Sequence, residues 1–364
     1  MRLTDLKVSY LKVPIREPGF RGNPLKGFPA MKAYPLVIVR AYTDDEGMTG
    51  VGGMDGRAFW KAGISGWAKY LSDVVKPMLL KEIQEPFYNN MFMRRIRSEP
   101  PNAISPRPAC VEMALWDIVG KALKTPVYKI FGATKDKVKA YVNAGPPQYP
   151  PWTPEKWADF YVDRREEGYK AVKMFFDPSF QSIESIVETT KVVRDSIGHE
   201  MEIMVDACSA WGPEPLSFHR ALMLARGLER YDVAWLEEPL PHILNPELSA
   251  RLARMVDIPI AGGGTIFGIH NYRMLLEKGA LDIVQPDAGF TGLSEVKKIA
   301  EMAEYYGKSC VPHAGGPGLV TRASLHVIGA TDIRWCESHL MPPRWTVKER
   351  DSILKKPTLI DKDG

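Results

Sequence analysis

The sequence is poor in cysteine, and its few cysteines form no paired motif. No two of them are separated by two residues, and the four are Cys110, Cys208, Cys310 and Cys336. This spacing excludes a C-x-x-C redox or zinc motif and provides no disulfide framework. We expect four buried thiols, although Cys208 and Cys336 each lie within two residues of a candidate site carboxylate.

A large excess of charge and a long apolar run are also absent. The chain has 48 basic and 44 acidic residues, a formal charge of +4, which is too balanced for a nucleic-acid groove or a membrane-binding face. No segment approaches the roughly 18 apolar residues of a membrane span, and the first residues lack the apolar core of a signal peptide. The sequence therefore predicts no nucleic acid or membrane partner and a cytoplasmic location.

The length and composition favour two globular domains. The chain has 364 residues, of which 45% are hydrophobic, so it can bury a substantial core. A barrel of roughly 200 to 250 residues with a smaller domain fits this length. We place an α+β domain at residues 1–135 and a parallel α/β barrel at residues 136–339. The proline-containing tail, residues 340–364, is expected to pack back on the first domain.

Local patterns support this division. Residues Leu3–Val13 alternate imperfectly as a strand, Tyr34–Ala41 contains an apolar run, and a turn then suggests a hairpin that leads to Thr49–Gly53. These segments predict an antiparallel sheet. A helical pattern follows, and strand and helix signals then alternate to about Ala330, which is typical of a parallel barrel. Barrel helices are predicted at Pro154–Glu167, Ile183–Ile197, Ser217–Arg230, Pro246–Met255, His270–Lys278, Leu293–Tyr306 and Leu319–Ile328.

Seven residues of the second domain follow one another at intervals of 33, 31, 27, 23, 26 and 24 residues. They are Lys173, Asp206, Glu237, Gly264, Asp287, His313 and Glu337. Most come directly after a short apolar run, so each is expected at the C-terminal end of a barrel strand. Barrels of this kind carry their chemistry at that end.

The residue types suggest an acid–base site beside a cation site. Asp206 and Glu237 follow buried strands, so each needs a partner, and their oxygen atoms suit Mg²⁺ or Mn²⁺. The alternative is that both acids cap the following helices. Asp287 and His313 end adjacent predicted strands, where the carboxylate would orient the ring and raise its basicity. The alternative is a structural histidine in a loop.

Several short motifs occur in order along the chain. They are Ala114-Leu115-Trp116-Asp117-Ile118-Val119-Gly120-Lys121-Ala122, Pro126-Val127-Tyr128, Glu237-Glu238-Pro239, Pro259-Ile260-Ala261-Gly262-Gly263 and Gln285-Pro286-Asp287. In these motifs the chain resembles the mandelate racemase subgroup of the enolase superfamily. The resemblance implies a modified (β/α)₈ TIM barrel, (β/α)₇β, covered by an N-terminal α+β capping domain. It also implies Mg²⁺-assisted removal of the proton α to a substrate carboxylate.

Matching positions carry roles over from the family. Asp206 and Glu237 resemble the first two metal ligands, and Asp287 with His313 resembles the acid–base dyad. Lys173 matches the first lysine of the family's Lys-x-Lys, which holds the substrate carboxylate. Glu337 is similar to the acid that hydrogen-bonds the enolic oxygen.

Three positions depart from the family pattern. Phe175 stands where the second lysine would be, which removes the base for the other substrate face and disfavours a two-base racemase. Cys208 replaces an amide often found there. Gly264 occupies the position of the third metal carboxylate, so water or Glu238 would have to complete the shell, and weaker binding of a divalent ion is expected.

The resemblance favours a sugar-acid dehydratase, because loss of hydroxide needs no second base. Two alternatives remain open: a one-base epimerase or cycloisomerase of a carboxylate, and a catalytically impaired binding protein. In the family, loops of the capping domain contact the substrate and set its specificity. The corresponding loops here are Gly19–Lys32, which contains Phe20 and Arg21, and Gly50–Arg57, which contains Met54. Phe175 is a further candidate substrate contact. A homo-oligomer, either dimer or octamer, is expected.

Overall fold

The computed structural model describes residues 1–15, 33–56, 64–97, 108–144, 152–176, 181–209, 215–340 and 345–364. Within these ranges no helix is both long and apolar enough to cross a membrane.

The chain begins with a three-stranded antiparallel sheet, as predicted. Its strands, in spatial order, are β1 (Leu3–Pro14), β2 (Ala33–Thr43) and β3 (Thr49–Asp55). The helices that follow are α1 (Ile64–Tyr70), α2 (Lys76–Met78), α3 (Asn89–Arg97), α4 (Ala109–Ala122) and α5 (Val127–Ile130), with π-helical segments at Leu71–Val75 and Leu79–Ile83.

Two glycines allow helix α4 to pack directly on strand β3. A Cβ atom at Gly50 would lie 1.9 Å from the carbonyl oxygen of Ala114, and one at Gly52 would lie 1.9 Å from that of Cys110. Any side chain at these positions would push the helix off the sheet. The close contact lets α4 share one hydrophobic core with the sheet and with α3.

The second part of the chain is an eight-stranded parallel sheet. Its strands are β4 (Lys139–Ala144), β5 (Ala171–Phe175), β6 (Glu202–Asp206), β7 (Val233–Glu237), β8 (Ile260–Gly262), β9 (Ile283–Val284), β10 (Ser309–Cys310) and β11 (Trp335–His339). Neighbours follow the chain order from β10 back to β4, and β4 also pairs with β11. Pairing of the first strand with the last is what a curled, barrel-like sheet requires.

Each strand, or the residue just after it, gives one side chain to a common interior cluster. The eight are Tyr141, Ala171, Met204, Trp235, Ala261, Ile283, Val311 and Trp335. Because strand side chains alternate, the next residue in six of these strands packs in the larger core beneath the helices: Val142, Val172, Val205, Leu236, Val284 and Cys336. This arrangement fills the barrel and confirms the predicted fold class.

Helices cover the outside of the barrel close to the predicted ranges. They are α6 (Pro154–Glu166), α7 (Ile183–Ile197), α8 (Phe218–Leu228), α9 (Pro246–Ala253), α10 (Ile269–Glu277), α11 (Ala288–Thr291), α12 (Leu293–Tyr305), α13 (Gly318–Ile328) and α14 (Val347–Arg350), with a 3₁₀ turn at Glu229–Tyr231. Side chains of Thr153, Ser182 and Ser217 accept hydrogen bonds from the first turns of α6, α7 and α8. These capping residues explain why the predicted starts of these three helices agree closely with the structure.

The C-terminal tail joins the two parts of the chain. Trp345 stacks on Tyr34 of β2 with ring centroids 4.9 Å apart. Arg350 donates to Ser338 of β11 at 2.9 Å, and the backbone N–H of Ala140 in β4 donates to the terminal Gly364 carbonyl at 3.2 Å. The tail therefore contacts both the N-terminal sheet and the barrel.

Candidate active site

Lys173 is the centre of a buried group of charges at the ends of the barrel strands. It lies on β5, and its side chain is 1% exposed. Its Nζ lies 2.6 Å from Glu237 Oε1, 3.1 Å from Glu337 Oε1 and 3.9 Å from Asp206 Oδ2. Burial alone would lower the pKa of Lys173, but these carboxylates hold it well above its usual value. Lys173 is therefore a buried cation.

Both oxygens of Glu237 are already engaged. Oε1 accepts from Lys173, whereas Oε2 accepts from Trp235 Nε1 at 3.0 Å and from Gln285 Nε2 at 2.7 Å. Donors on β5, on β7 itself and just after β9 thus hold one carboxylate. Such a carboxylate is oriented and neutralised by protein groups alone.

Asp206 and Glu238 are held less completely. Asp206 Oδ1 accepts from the backbone N–H of Cys208 at 2.8 Å and from its thiol at 3.1 Å, but Oδ2 is 3.9 Å from Lys173. Burial raises the pKa of Asp206 well above its usual value, and the charges of Glu237 and Glu238 raise it further. Glu238 Oε1 accepts from Gly263 N at 3.4 Å, and its Oε2 is buried with no partner in the described part of the chain.

His313 and Asp287 form the predicted dyad geometry. His313 Nδ1 lies 2.6 Å from Asp287 Oδ2, and Asp287 Oδ1 accepts from Gly289 N at 2.6 Å. The same carboxylate therefore caps α11 and orients the ring. Burial lowers the pKa of His313, yet the hydrogen bond that the ring donates to Asp287 and the charge of Glu337 outweigh it and raise the pKa to about 9.

Glu337 connects the lysine to the histidine loop. Its Oε1 accepts from Lys173 and from Asn143 Nδ2 at 2.5 Å, and its Oε2 accepts from Ala314 N at 2.6 Å. Burial would raise the pKa of Glu337, but the charges of Lys173 and His313 lower it to about 2. In this arrangement Glu337 is an anion that accepts hydrogen bonds and donates none.

Gly264 lies against the histidine. A Cβ atom at this position would be 3.0 Å from both Cγ and Cδ2 of His313. Gly263 has a φ of 108°, but Gly264 is not among the residues with a positive φ. The absence of a side chain at position 264 therefore gives the histidine ring its space, with no demand from the backbone.

The four residues predicted to contact the substrate lie in different parts of the protein. Phe175 ends β5 on the same face as Lys173 and is partly exposed. Met54 is fully buried in the core of the N-terminal domain and accepts from Trp67 Nε1 at 3.3 Å. Phe20 and Arg21 lie outside the described residues, and the four assignments stay predictions.

The sequence reasoning did not single out Asn143, Trp235 or Gln285 as site residues. Asn143 pairs in register with Lys173 on the neighbouring strand, 30 residues earlier in the chain. Extending the spacing pattern one unit upstream would have found it. Trp235 precedes Glu237 by two residues on β7, so strand alternation places both side chains on one face. Gln285 lies in a motif, but its donation to Glu237 is a contact between strands.

Family comparison agrees with this architecture. Residues 12–132 match the N-terminal domain of mandelate racemase and muconate lactonizing enzymes, and residues 156–364 match the enolase C-terminal domain-like family. The chain belongs to the mandelate racemase/muconate lactonizing enzyme family. The expectation of a lyase or isomerase of the enolase superfamily is thereby confirmed.

Two relatives in this family are named as acid-sugar dehydratases. The chain is 34% identical over 300 residues to the arabinonate dehydratase of Saccharolobus solfataricus, covering 80% of this chain and 76% of that protein. It is 28% identical over 316 residues to the L-talarate/galactarate dehydratase of Salmonella typhimurium, covering 86% and 76%.

Solved structures in the family have the same fold. An enolase superfamily member from Polaromonas sp. JS666 superposes with a TM-score of 0.85 at 23% identity, covering 100% of this chain and 92% of that one. The 3,6-anhydro-D-galactonate cycloisomerase from Zobellia galactanivorans has a TM-score of 0.74 at 25% identity, covering 93% and 87%.

The donor set fits a hard divalent ion, although incompletely. Among the described residues, no group of three or more His, Cys, Asp or Glu side chains is arranged to hold a metal. However, Glu238 Oε2 is a buried carboxylate oxygen without a partner in those ranges, and Asp206 Oδ2 has only a distant lysine. Oxygen atoms of this kind suit Mg²⁺, which commonly binds through one or two carboxylates and keeps several waters.

Proposed function

We propose that the protein dehydrates a sugar acid, with the His313–Asp287 pair as its acid and base. The observation that carries this proposal is the 2.6 Å bond between His313 Nδ1 and Asp287 Oδ2, in a histidine whose side chain is 22% exposed. Because Asp287 occupies Nδ1, the ring exchanges protons with a substrate through Nε2. The proposal extends the names of the two dehydratase relatives to this chain.

The proton balance needs one histidine only. Neutral His313 takes the proton from the carbon next to the substrate carboxylate, and the electron pair of that C–H bond forms an enolate. The C–O bond of the neighbouring hydroxyl then breaks, and the imidazolium gives the proton to the departing hydroxide, which leaves as water. The resulting enol rearranges to a 2-keto-3-deoxy acid. Phe175 has no titratable group, and this sequence of steps requires none there.

Lys173 is proposed to bind the substrate carboxylate. A lysine ammonium has three N–H donors, and Glu237 and Glu337 accept from two of them. The two carboxylates also fix the ammonium in place, which favours a preorganised contact over a flexible one. A divalent ion held by carboxylates at the ends of β6 and β7 would stabilise the charge of the enolate.

A one-base cycloisomerase is the second candidate. Its support is the likeness to the 3,6-anhydro-D-galactonate cycloisomerase, and the same histidine would serve it. The products differ, because only dehydration of an acyclic sugar acid yields a 2-keto-3-deoxy acid with release of water. The retained dyad and the buried lysine weigh against a binding protein without activity.

The test is a screen of acid sugars for 2-keto acid formation, with Mg²⁺ present. We expect one or a few acid sugars to be converted by the wild-type protein, and none by His313→Asn. Conversion of an anhydro sugar acid without loss of water would favour the cycloisomerase. Equal conversion by both proteins would rule out His313 as the acid and base.

A further inference from the structure

The carboxylates around Lys173 are of two kinds. Some accept hydrogen bonds from protein donors on both oxygens, and others have one oxygen without a donor. Glu237 accepts from Lys173, Trp235 and Gln285 through both of its oxygens. Glu337 likewise has donors on both oxygens. Asp206 Oδ2 and Glu238 Oε2 have no hydrogen-bond donor among the described residues.

Both residues are buried, and Glu238 Oε2 itself is shielded from solvent. Asp206 is 6% exposed and Glu238 is 5% exposed. An anionic oxygen removed from water without a donor is unfavourable, and a bound cation is the usual compensation. The oxygen set therefore points to a positive ligand that no side chain in the described ranges supplies.

The backbone brings the two segments side by side. Ser209 N donates to the Glu238 carbonyl at 3.0 Å, and Glu238 N donates to the Ala261 carbonyl at 2.9 Å. Glu238 has a φ of 49° and Cys208 a φ of 45°, a left-handed conformation that is unfavourable for both residue types. Strain of this kind persists where surrounding bonds fix it, and it is concentrated at functional sites.

We infer that Asp206 and Glu238, rather than Asp206 and Glu237, are the carboxylates that bind a divalent cation in this protein. Glu238 thereby supplies the charge that Gly264 does not. Glu237 acts instead as a positioning residue, which holds Lys173 between itself and Glu337. The inference rests on the proposed function, because it concerns the same site, but metal binding is measured without substrate.

The test makes the same substitution, glutamate to aspartate, at the adjacent residues Glu237 and Glu238. Glu238→Asp and Glu237→Asp each keep the charge and shorten the side chain by one methylene, so an electrostatic effect is matched. Mg²⁺ requires nearly ideal octahedral geometry, so we expect Glu238→Asp to weaken binding at least about tenfold and Glu237→Asp by no more than about twofold. Asp206→Asn should weaken binding as strongly as Glu238→Asp. Glu304→Asp, on the surface, should change nothing.

Two measurements on the full chain decide the matter. Calorimetric titration with Mg²⁺ and Mn²⁺ gives Kd, and anomalous scattering from a Mn²⁺-soaked crystal of the wild-type protein locates the ion even if a variant does not fold. A peak bonded to Asp206 and Glu238 supports the inference. A peak bonded to Glu237, a larger loss in Glu237→Asp than in Glu238→Asp, or no binding of either ion would overturn it. Dehydration without detectable metal binding would refute this inference and leave the proposed function standing.

Discussion

Gly264 lies so near His313 that a Cβ atom at position 264 would be 3.0 Å from the histidine ring. Contacts this short are tighter than ordinary van der Waals packing, so the ring must shift when a side chain is added. We expect Gly264→Ala to reduce turnover of the acid sugar by about tenfold, because small displacements of a catalytic group have effects of this size. The measurement is kcat for 2-keto acid formation.

The matched control for this substitution is Gly66→Ala in α1, where a Cβ atom meets nothing within 4 Å. It should leave kcat unchanged. Gly264→Glu would place a carboxylate where the family has its third ligand, but the same contact with His313 accompanies it. We therefore expect tighter metal binding together with lower turnover. Full activity in Gly264→Ala would contradict the steric argument.

The second prediction concerns His313→Asn, which keeps a hydrogen-bonding side chain but cannot carry the proton. We expect loss of turnover by at least about a hundredfold and a similar slowing of α-proton exchange with deuterated solvent. Asp287→Asn should reduce both rates less, because it disturbs the orientation and tautomer of the ring without removing it. His199→Asn, at an exposed histidine, is the control. Exchange is followed by NMR.

Part of the site follows from sequence and part does not. Sequence alone predicted the strand-end positions of four site residues, Lys173, Asp206, Asp287 and His313. These positions recur with each βα unit, and the ends of parallel strands meet at one end of the barrel. The hydrogen bonds to Glu237 from Lys173 and Gln285 could not be predicted, because these two donors come from other strands and their positions are set by register. Helix α11 was missed because four residues give no periodic signal.

The third prediction is a pH dependence that arises from the raised pKa of His313, which is about 9. Removal of the α-proton needs the neutral ring, so the exchange rate should rise with pH and level off above about 9. In Asp287→Asn the hydrogen-bond acceptor loses its negative charge, so it no longer favours the protonated ring, and the inflection should move down toward the usual value of about 6.5. An unchanged inflection in that variant would show that Asp287 does not control the titration.

The same shift predicts how stability changes with pH. A folded-state pKa above the unfolded value means that the protonated ring is favoured by folding. Its contribution to the free energy of unfolding is therefore fully present below about pH 6.5 and is lost as the pH rises through about 9. Urea unfolding of the wild-type protein and His313→Asn across this range should show the difference narrowing with increasing pH.

The fourth prediction concerns Lys173, whose removal leaves Glu237 and Glu337 as buried anions without their cation. Breaking a buried ion pair by removing one partner costs about 3 to 5 kcal/mol, so Lys173→Met should lower the free energy of unfolding by that amount. Lys191→Met, in an exposed pair with Asp195, should leave it nearly unchanged, because solvent screens an exposed ion pair. Equal effects in chemical denaturation would show that the buried pair is not important for stability.

The last prediction concerns Phe175, which shares the inward face of β5 with Lys173 and pairs in register with Asp206. An aromatic ring can neither accept nor return a proton, so no acid–base group stands at position 175, and the proposed proton carrier is the dyad on the other side of the barrel. In deuterated water the protein should therefore exchange the α-proton of one epimer of a substrate pair, with a single configuration of the label. His313→Asn should abolish that exchange, which would identify the ring as its source. Chiral analysis by NMR provides the measurement. Rapid exchange of both epimers by the wild-type protein would show that a second base operates, and the one-base dehydratase would then have to be replaced by a racemase-type mechanism.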